Sequence, residues 1–166
     1  NIICHRRIRE YPVSGGPSCC CQSDWNDTLV AYALKLLTAL DWRGMAMVEF
    51  RGSDKDYALM EINPRVWGTY PLTRRTGSGF SLAYCLAARG DVLPEYTAPL
   101  YRLGLRMDYK LADAACAASM IKTGRSLQGA RALLDVLSPT VRDGAFEWGD
   151  LKASLAGLRA SIKKRI

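Results

Sequence analysis

The sequence predicts an α+β fold in which an antiparallel sheet is flanked by helices. Two apolar runs, residues 45–51 and 57–62, are separated by Gly-Ser-Asp-Lys-Asp, a group of turn formers typical of a β-hairpin. Apolar residues recur at helical spacing from residue 29 to residue 40, and Ala-rich helical segments follow residue 110. A chain of 166 residues can bury one core, and this length also fits a piece of a larger catalytic unit.

The composition is that of a folded soluble protein. Hydrophobic residues make up 49% and charged residues 23%, which excludes a disordered or fibrous chain. No apolar run has the length of a membrane span, and the first residues lack the apolar core of a signal peptide. We therefore expect a cytoplasmic protein. The chain opens without Met in what reads as a strand in progress, so we also expect sequence upstream.

The first half of the chain predicts a strand, a loop, a helix and the hairpin. Residues 2–9 have strand character, and the two prolines and adjacent glycines of residues 11–18 predict a loop. Asn26 or Asp27 can cap a helix that ends near residues 41–44. The hairpin of residues 45–62 follows.

The second half predicts mainly helices. After Pro64 we expect one short helix near Thr73 and another over residues 81–89, which Gly90 ends. Residues 101–109 are a possible strand. The remaining helices are predicted over residues 111–123, 126–137 and 151–164, and we expect them to be structural.

Charge and cysteine content narrow the class of function. Lys and Arg number 23 against 16 Asp and Glu, but they are scattered, without an arginine-rich arm or an aromatic ladder, so a solvated surface is favoured over nucleic-acid binding. The six cysteines lack paired CxxC spacing, and there is one histidine. Adjacent residues of an extended segment point to opposite faces, so Cys19, Cys20 and Cys21 are not expected to share a metal. We expect free thiols and no stoichiometric zinc.

The predicted hairpin carries the chemistry. Glu61 and Asn63 share one strand face, together with Leu59, and Glu49 lies among apolar residues where an unpaired carboxylate is costly. If the hairpin turns symmetrically about Lys55, Glu49 lies opposite Glu61, and two like charges so placed require a neutralising partner. Two carboxylates and an amide oxygen suit Mg²⁺ or Mn²⁺.

Arg65 follows this set after a proline that restricts the backbone. Its guanidinium can reach over the same strand face and bind a phosphate or carboxylate oxygen in a bidentate manner. The alternative interpretation is that Glu49 and Glu61 are exposed strand residues and that Arg65 is their surface ion-pair partner. The apolar flanks favour a functional site.

Residues 44–51, Gly-Met-Ala-Met-Val-Glu-Phe-Arg, followed by residues 59–65, Leu-Met-Glu-Ile-Asn-Pro-Arg, resemble the metal-binding hairpin of the ATP-grasp superfamily. The similar branch includes the carbamoyl-phosphate synthase large chain and biotin carboxylase. The basic strand and the Gly-Gly-Pro-Ser loop of residues 5–18 add to the resemblance, as do Trp67 and Gly68. The resemblance implies a C-terminal ATP-grasp subdomain over residues 1–110 and a helical C-terminal extension over residues 111–166.

The resemblance also implies roles for individual residues. Glu49, Glu61 and Asn63 would hold Mg²⁺ bound to ATP, and Arg65 would contact the transferred phosphate. One of three arginines of the first strand would help to neutralise the phosphates: Arg6, Arg7 or Arg9. The implied activity is a ligase that activates a small carboxylate as an acyl phosphate for attack by an amine or similar nucleophile.

The upstream ATP-grasp subdomain, with its phosphate-binding lysine and glycine-rich flap, is not in this sequence. We expect it in cis or in trans, and we expect the chain alone to be incomplete and inactive. Two other functions stay open. One is a non-catalytic module that binds phosphate or nucleotide, and the other is a basic nucleic-acid-binding domain, which salt-sensitive binding without Mg²⁺ dependence would favour.

Overall fold

The computed structural model describes residues 1–53, 56–93, 99–147 and 149–163. The chain divides into two compact units, and each is built from two segments of sequence. The first contains Asn1–His5 and Ser23–Gly104, and the second contains Arg6–Gln22 and Leu105–Ile166. The elements are, in chain order, β1 (Cys4–Glu10), β2 (Ser18–Asp24), α1 (Asp27–Ala39), β3 (Met47–Ser53), β4 (Asp56–Asn63), α2 (Tyr70–Arg75), α3 (Phe80–Ala88), β5 (Arg106–Asp108), α4 (Lys110–Lys122), α5 (Ser126–Leu137), β6 (Arg142–Asp143) and α6 (Leu151–Lys163).

The strands form two sheets, which confirms a mixed α+β class. One sheet has the order β1-β2-β5-β6, and the other is the β3–β4 hairpin. The antiparallel prediction holds for β2 with β5 and for the hairpin, but β6 pairs with β5 in parallel. The sequence predicts a possible strand over residues 101–109, and the strand observed there, β5, has three residues.

Strand β2 was not predicted. Cys19, Cys20 and Cys21 are all buried, so the strand lacks the apolar and polar alternation that marks a half-exposed strand. Cys20 lies opposite Asp108, and Cys21 lies opposite Met107. Burial raises the pKa of the Cys20 and Cys21 thiols to about 12. Asp108 adds to this shift at both cysteines, and Arg9 opposes it at Cys20. These cysteines are therefore neutral thiols at physiological pH.

The predicted helices of the second unit are confirmed within one or two residues. Helix α4 packs against α5. A Cβ added at Gly129 of α5 would approach the Ala117 carbonyl oxygen to 2.8 Å, so glycine permits the close contact of these two helices. Among the described residues, no helix is both long and apolar enough to cross a membrane.

The first unit has a smaller core around an aromatic cluster. The Trp67 ring lies edge-on to Tyr70 and to Phe80, with centroids 5.3 and 5.6 Å apart. Trp67 and Leu72 are buried. The chain segment that follows the hairpin is thereby fixed to helices α2 and α3 of the same unit.

The sequence predicts a C-terminal ATP-grasp subdomain over residues 1–110 and a helical extension over residues 111–166, and this division stays a prediction.

Candidate metal-binding site

The hairpin β3–β4 is supported by helix α1. Asn26 caps the helix, since its side-chain oxygen accepts a hydrogen bond of 3.0 Å from the Leu29 amide. The Asn26 Nδ2 also donates to the Tyr57 hydroxyl at 3.1 Å. The Tyr32 and Phe50 rings lie 6.4 Å apart. The N-cap of α1 and its single tyrosine thus contact both strands of the hairpin.

The register places Glu49 opposite Glu61, as the sequence predicts. The register that produces this pairing is not the symmetrical one that the sequence predicts. Ser53 pairs with Asp56, so the pairs nearest the turn do not fit symmetry about Lys55, which itself lies outside the described residues. The register shifts by one residue between Glu49 and Phe50, because Phe50 pairs with Leu59. As a result, Met60 has no paired residue on β3, and Glu49 lies opposite Glu61.

Glu49, Glu61 and Asn63 come together at one end of the hairpin. Directly opposed residues of an antiparallel pair share a face. The Asn63 Nδ2 donates to the Glu61 Oε1 at 2.6 Å, which confirms that Asn63 and Glu61 project the same way. Asn63 is buried, Glu49 is half-buried and Glu61 is exposed. A buried amide therefore orients a carboxylate that remains open to solvent.

The donor set of these three residues is made of hard oxygens. Two carboxylates supply two negative charges, and the Asn63 side chain also carries a carbonyl oxygen. Such donors suit Mg²⁺ or Mn²⁺, which leave several positions to water and phosphate oxygens. The residues fit the predicted ion, although their role as ligands stays a prediction.

Arg65 lies just beyond the end of β4 and is exposed. Its Nη1 donates to the Val66 carbonyl oxygen at 3.2 Å. This contact with the backbone of the next residue lies in an exposed setting. The predicted phosphate-binding role of Arg65 stays a prediction.

The three arginines of β1 belong to the second unit. Arg6 and Arg7 are exposed. The Arg7 Nη1 donates to the Glu10 Oε2 at 2.8 Å, a surface ion pair of small energetic weight. Both side chains are therefore accessible to solvent anions.

Arg9 has a different environment. Its Nε and Nη2 donate to both oxygens of Asp113 at 2.7 and 2.6 Å, and its Nη1 donates to Asp135 at 2.8 Å. Asp135 also accepts from Arg106. Burial alone would lower the pKa of Arg9, but the hydrogen bonds to Asp113 and Asp135 outweigh it and raise the pKa above its ordinary value. Arg9 is thus permanently charged and engaged within a nearly buried ion-pair network.

The structure also joins residues that sequence spacing did not connect. Donor atoms of Cys19, Asp113 and Cys116 all lie within 4.8 Å of one another, and all three residues are buried. Cys19 and Asp113 are 94 residues apart in sequence. The spacing of Asp113 and Cys116 does place them on one face of α4, but no local pattern indicates that Cys19 faces them.

Comparison with protein families supplies the remaining evidence. The family model of the carbamoyl-phosphate synthase L chain, ATP binding domain, matches residues 4–95, more than half of the chain. The chain belongs to this ATP-grasp family. Searches of curated proteins and of solved structures gave no significant match.

Membership of the carbamoyl-phosphate synthase ATP-binding family assigns the chain to an ATP-dependent, ligase-type class of domain. Domains of the ATP-grasp class generally bind ATP and Mg²⁺. The matched residues extend from β1 to beyond α3, and they include all seven candidate site residues that were predicted from the sequence.

Proposed function

We propose that this chain provides the metal-binding hairpin of a Mg-ATP-dependent ligase that activates a carboxylate as an acyl phosphate. The observation that carries the proposal is the pairing of Glu49 with Glu61, with Asn63 donating to Glu61, inside the segment that matches the ATP-binding family. Two like charges directly opposed on a hairpin are destabilising. A metal ion bound by both carboxylates would offset this cost.

Each residue has a defined part in the proposed mechanism. Glu49 and Glu61 would hold Mg²⁺ through carboxylate oxygens, and Asn63 fixes the orientation of Glu61 from its buried position. When bound, Mg²⁺ neutralises charge on the phosphates of ATP during transfer. Arg65 offers its guanidinium to the transferred phosphoryl group. An amine or similar nucleophile then displaces phosphate from the acyl phosphate, so the chain supplies positioning and charge rather than a nucleophile.

Among the arginines of β1, Arg6 and Arg7 suit phosphate neutralisation better than Arg9. The Arg9 guanidinium already donates to two carboxylates, and removing it would leave Asp113 buried without its counter-ion. Arg6 and Arg7 are exposed, and Arg7 donates to Glu10 at the surface. We therefore assign the phosphate contact to Arg6 or Arg7.

Mn²⁺ titration of the purified chain tests the metal site, with bound ion followed by electron paramagnetic resonance. We expect weak binding of one or two ions to the wild type, since two carboxylates and an amide leave most of the octahedron to water and nucleotide. Glu61→Gln should abolish this binding because it keeps the shape and removes a charge. Asp56→Asn is the matched control, since Asp56 is an exposed carboxylate of the same strand, and it should bind as wild type does.

Two results would contradict the proposed site. One is unchanged Mn²⁺ affinity in Glu61→Gln, and the other is equal loss in Glu61→Gln and Asp56→Asn. ATP binding that is independent of metal would instead favour the non-catalytic phosphate- or nucleotide-binding module.

A further inference from the structure

Three sulfur-containing side chains meet in the core of the second unit. Cys19 projects from β2, and Cys116 and Met120 project from α4, where a spacing of four residues stacks them on one face. The three form one buried cluster, with exposed fractions of 2%, 0% and 9%. Tyr11, Val13 and Ala112 pack against the cluster. Part of the surroundings of the cluster is therefore apolar.

The carboxylate beside this cluster is already engaged. Asp113 lies within 4.8 Å of both thiol sulfurs, but each of its oxygens accepts a hydrogen bond from Arg9. A cation at Asp113 would lie next to the Arg9 guanidinium, and the like charges would oppose its binding. The donors that remain for an ion are the sulfur atoms.

We propose that Cys19, Cys116 and Met120 form a binding site for a soft monovalent metal ion, Cu(I). Thiolate and thioether ligands select Cu(I) over hard cations. Zn²⁺, by contrast, requires four ligands in structural sites, and the two thiols and the engaged carboxylate do not supply them. The same geometry thus favours Cu(I) and disfavours zinc.

The proton balance of the site follows from its hydrogen bonds. In the metal-free protein the Cys19 thiol donates to Asp113 at 3.4 Å, and the Cys116 thiol donates to the Glu10 carbonyl oxygen at 3.3 Å. Burial raises the pKa of both thiols, so each is protonated at neutral pH. Binding of one Cu(I) forms two Cu–S bonds to thiolates and one to the Met120 thioether, and it releases two protons to solvent.

The bound site carries one net negative charge, which nearby Asp113 disfavours and nearby arginines favour. Arg9 and Arg125 both favour the charged form of Cys116. The release of two protons makes binding tighter at higher pH. Met120 has the highest exposed fraction of the three residues, 9%, so we expect an entering ion to reach it first.

Anaerobic titration of the purified chain with Cu(I), in competition with the chelator bathocuproine disulfonate, tests the proposal. We expect one Cu(I) per chain with high affinity. Cys116→Ala and Cys19→Ala should each weaken binding by about 100-fold or more, because even partners of the ligands contribute ~10 to 100-fold. Met120→Leu, which conserves volume, should weaken it by about tenfold. Cys85→Ser is the control, since Cys85 is an exposed thiol of the first unit, and it should not change the affinity.

A spectroscopic measurement keeps the test decisive where a cysteine variant does not fold. X-ray absorption of the Cu(I)-loaded wild type should show a shell of three sulfur atoms. A shell that contains oxygen or nitrogen, an affinity that Met120→Leu leaves unchanged, or loss of binding in Cys85→Ser would overturn the proposal. Stoichiometric binding of Zn²⁺ to this cluster would overturn it as well. None of these outcomes bears on the Mn²⁺ site of the hairpin, which uses separate residues.

Discussion

Asp108 is a fully buried carboxylate, with 0% of its surface exposed. Lys110 Nζ lies 3.2 Å from its Oδ1 as an ion pair, yet within the described ranges no donor has the geometry to hydrogen-bond either oxygen. Burial raises the pKa of Asp108 to about 6, although Lys110 opposes this shift. The charged form of Asp108 is therefore a cost to the native state near neutral pH.

Asp108→Asn should remove this cost. The unfolded aspartate titrates near ~3.9, so between about pH 4 and 6 the native state binds more protons than the unfolded state, and the free energy of unfolding falls as pH rises. The asparagine variant lacks this fall. Urea unfolding at pH 4 to 7 should show the two proteins alike at the acid end, with the variant more stable by at most about 3 kcal/mol at pH 7. A difference that shrinks with rising pH would contradict the argument, and Asp41→Asn, at an exposed site, serves as control.

Arg9 provides a second residue-scale prediction. Arg9→Ala should lower the free energy of unfolding by about 3 to 5 kcal/mol, because it leaves the carboxylate of Asp113 buried without a counter-ion. Arg6→Ala, at an exposed position of the same strand, should change it by less than about 0.5 kcal/mol. Thermal unfolding of both variants measures the difference. Equal stability of Arg9→Ala and wild type would show that the network does not hold the second unit together.

At the scale of single elements, the hairpin depends on Gly52. Its φ of +141° lies in a region that favours glycine, and a Cβ there would clash with the Asp56 carbonyl oxygen. Gly52→Ala should therefore destabilise the first unit by about 1 to 3 kcal/mol and weaken Mn²⁺ binding, because the opposition of Glu49 and Glu61 requires the hairpin register. Gly68→Ala, where no heavy atom lies within 4 Å of the added Cβ, is the control. Thermal unfolding and Mn²⁺ titration of both variants test this prediction.

The elements differ in how far the sequence predicts them. Helices α1, α4, α5 and α6 were predicted within a few residues because each has helical periodicity or a capping signal, as Asn26 shows for α1. Strand β2 was missed because its three cysteines are buried on both faces and show no alternation. The register shift at Met60 has no local signal either, so the correct pairing of Glu49 with Glu61 followed from an incorrect turn.

At the scale of the whole molecule, the family and the candidate metal residues were predictable, but the long-range contacts were not. Glu61 and Asn63 are two residues apart on one strand, so strand geometry suffices to bring them together, whereas Glu49 lies opposite Glu61 because of the register shift. The cluster of Cys19 with Cys116 and the ion pairs of Arg9 join segments about 90 to 130 residues apart, which periodicity cannot relate. The environment of Arg9 therefore became known only from the fold.

The chain as it stands should bind Mn²⁺ weakly and hydrolyse ATP no faster than background. Positioning supplies much of the rate of phosphoryl transfer, and the proposed hairpin site would contribute metal ligands but not the phosphate-binding lysine and flap. Addition of an upstream ATP-grasp subdomain, by fusion or in trans, should restore ATP binding and turnover. Steady-state ATPase assays of both forms measure this, and Glu61→Gln should then abolish turnover without changing the circular dichroism spectrum. Robust turnover by the present chain, or full activity of Glu61→Gln in the completed enzyme, would refute the mechanism.

The assembly of each unit from two distant segments has a consequence for folding. The chain crosses the unit boundary after His5 in β1, after Gln22 in β2 and after Gly104. Arg106 must meet Gln22 across 84 residues, and β2 cannot pair with β5 until this loop closes. Closure of so long a loop costs entropy before the contacts form, which slows folding. A truncation after Gly104 would remove the partner strand of β2 and expose its edge, so such a fragment should aggregate rather than fold as the first unit alone.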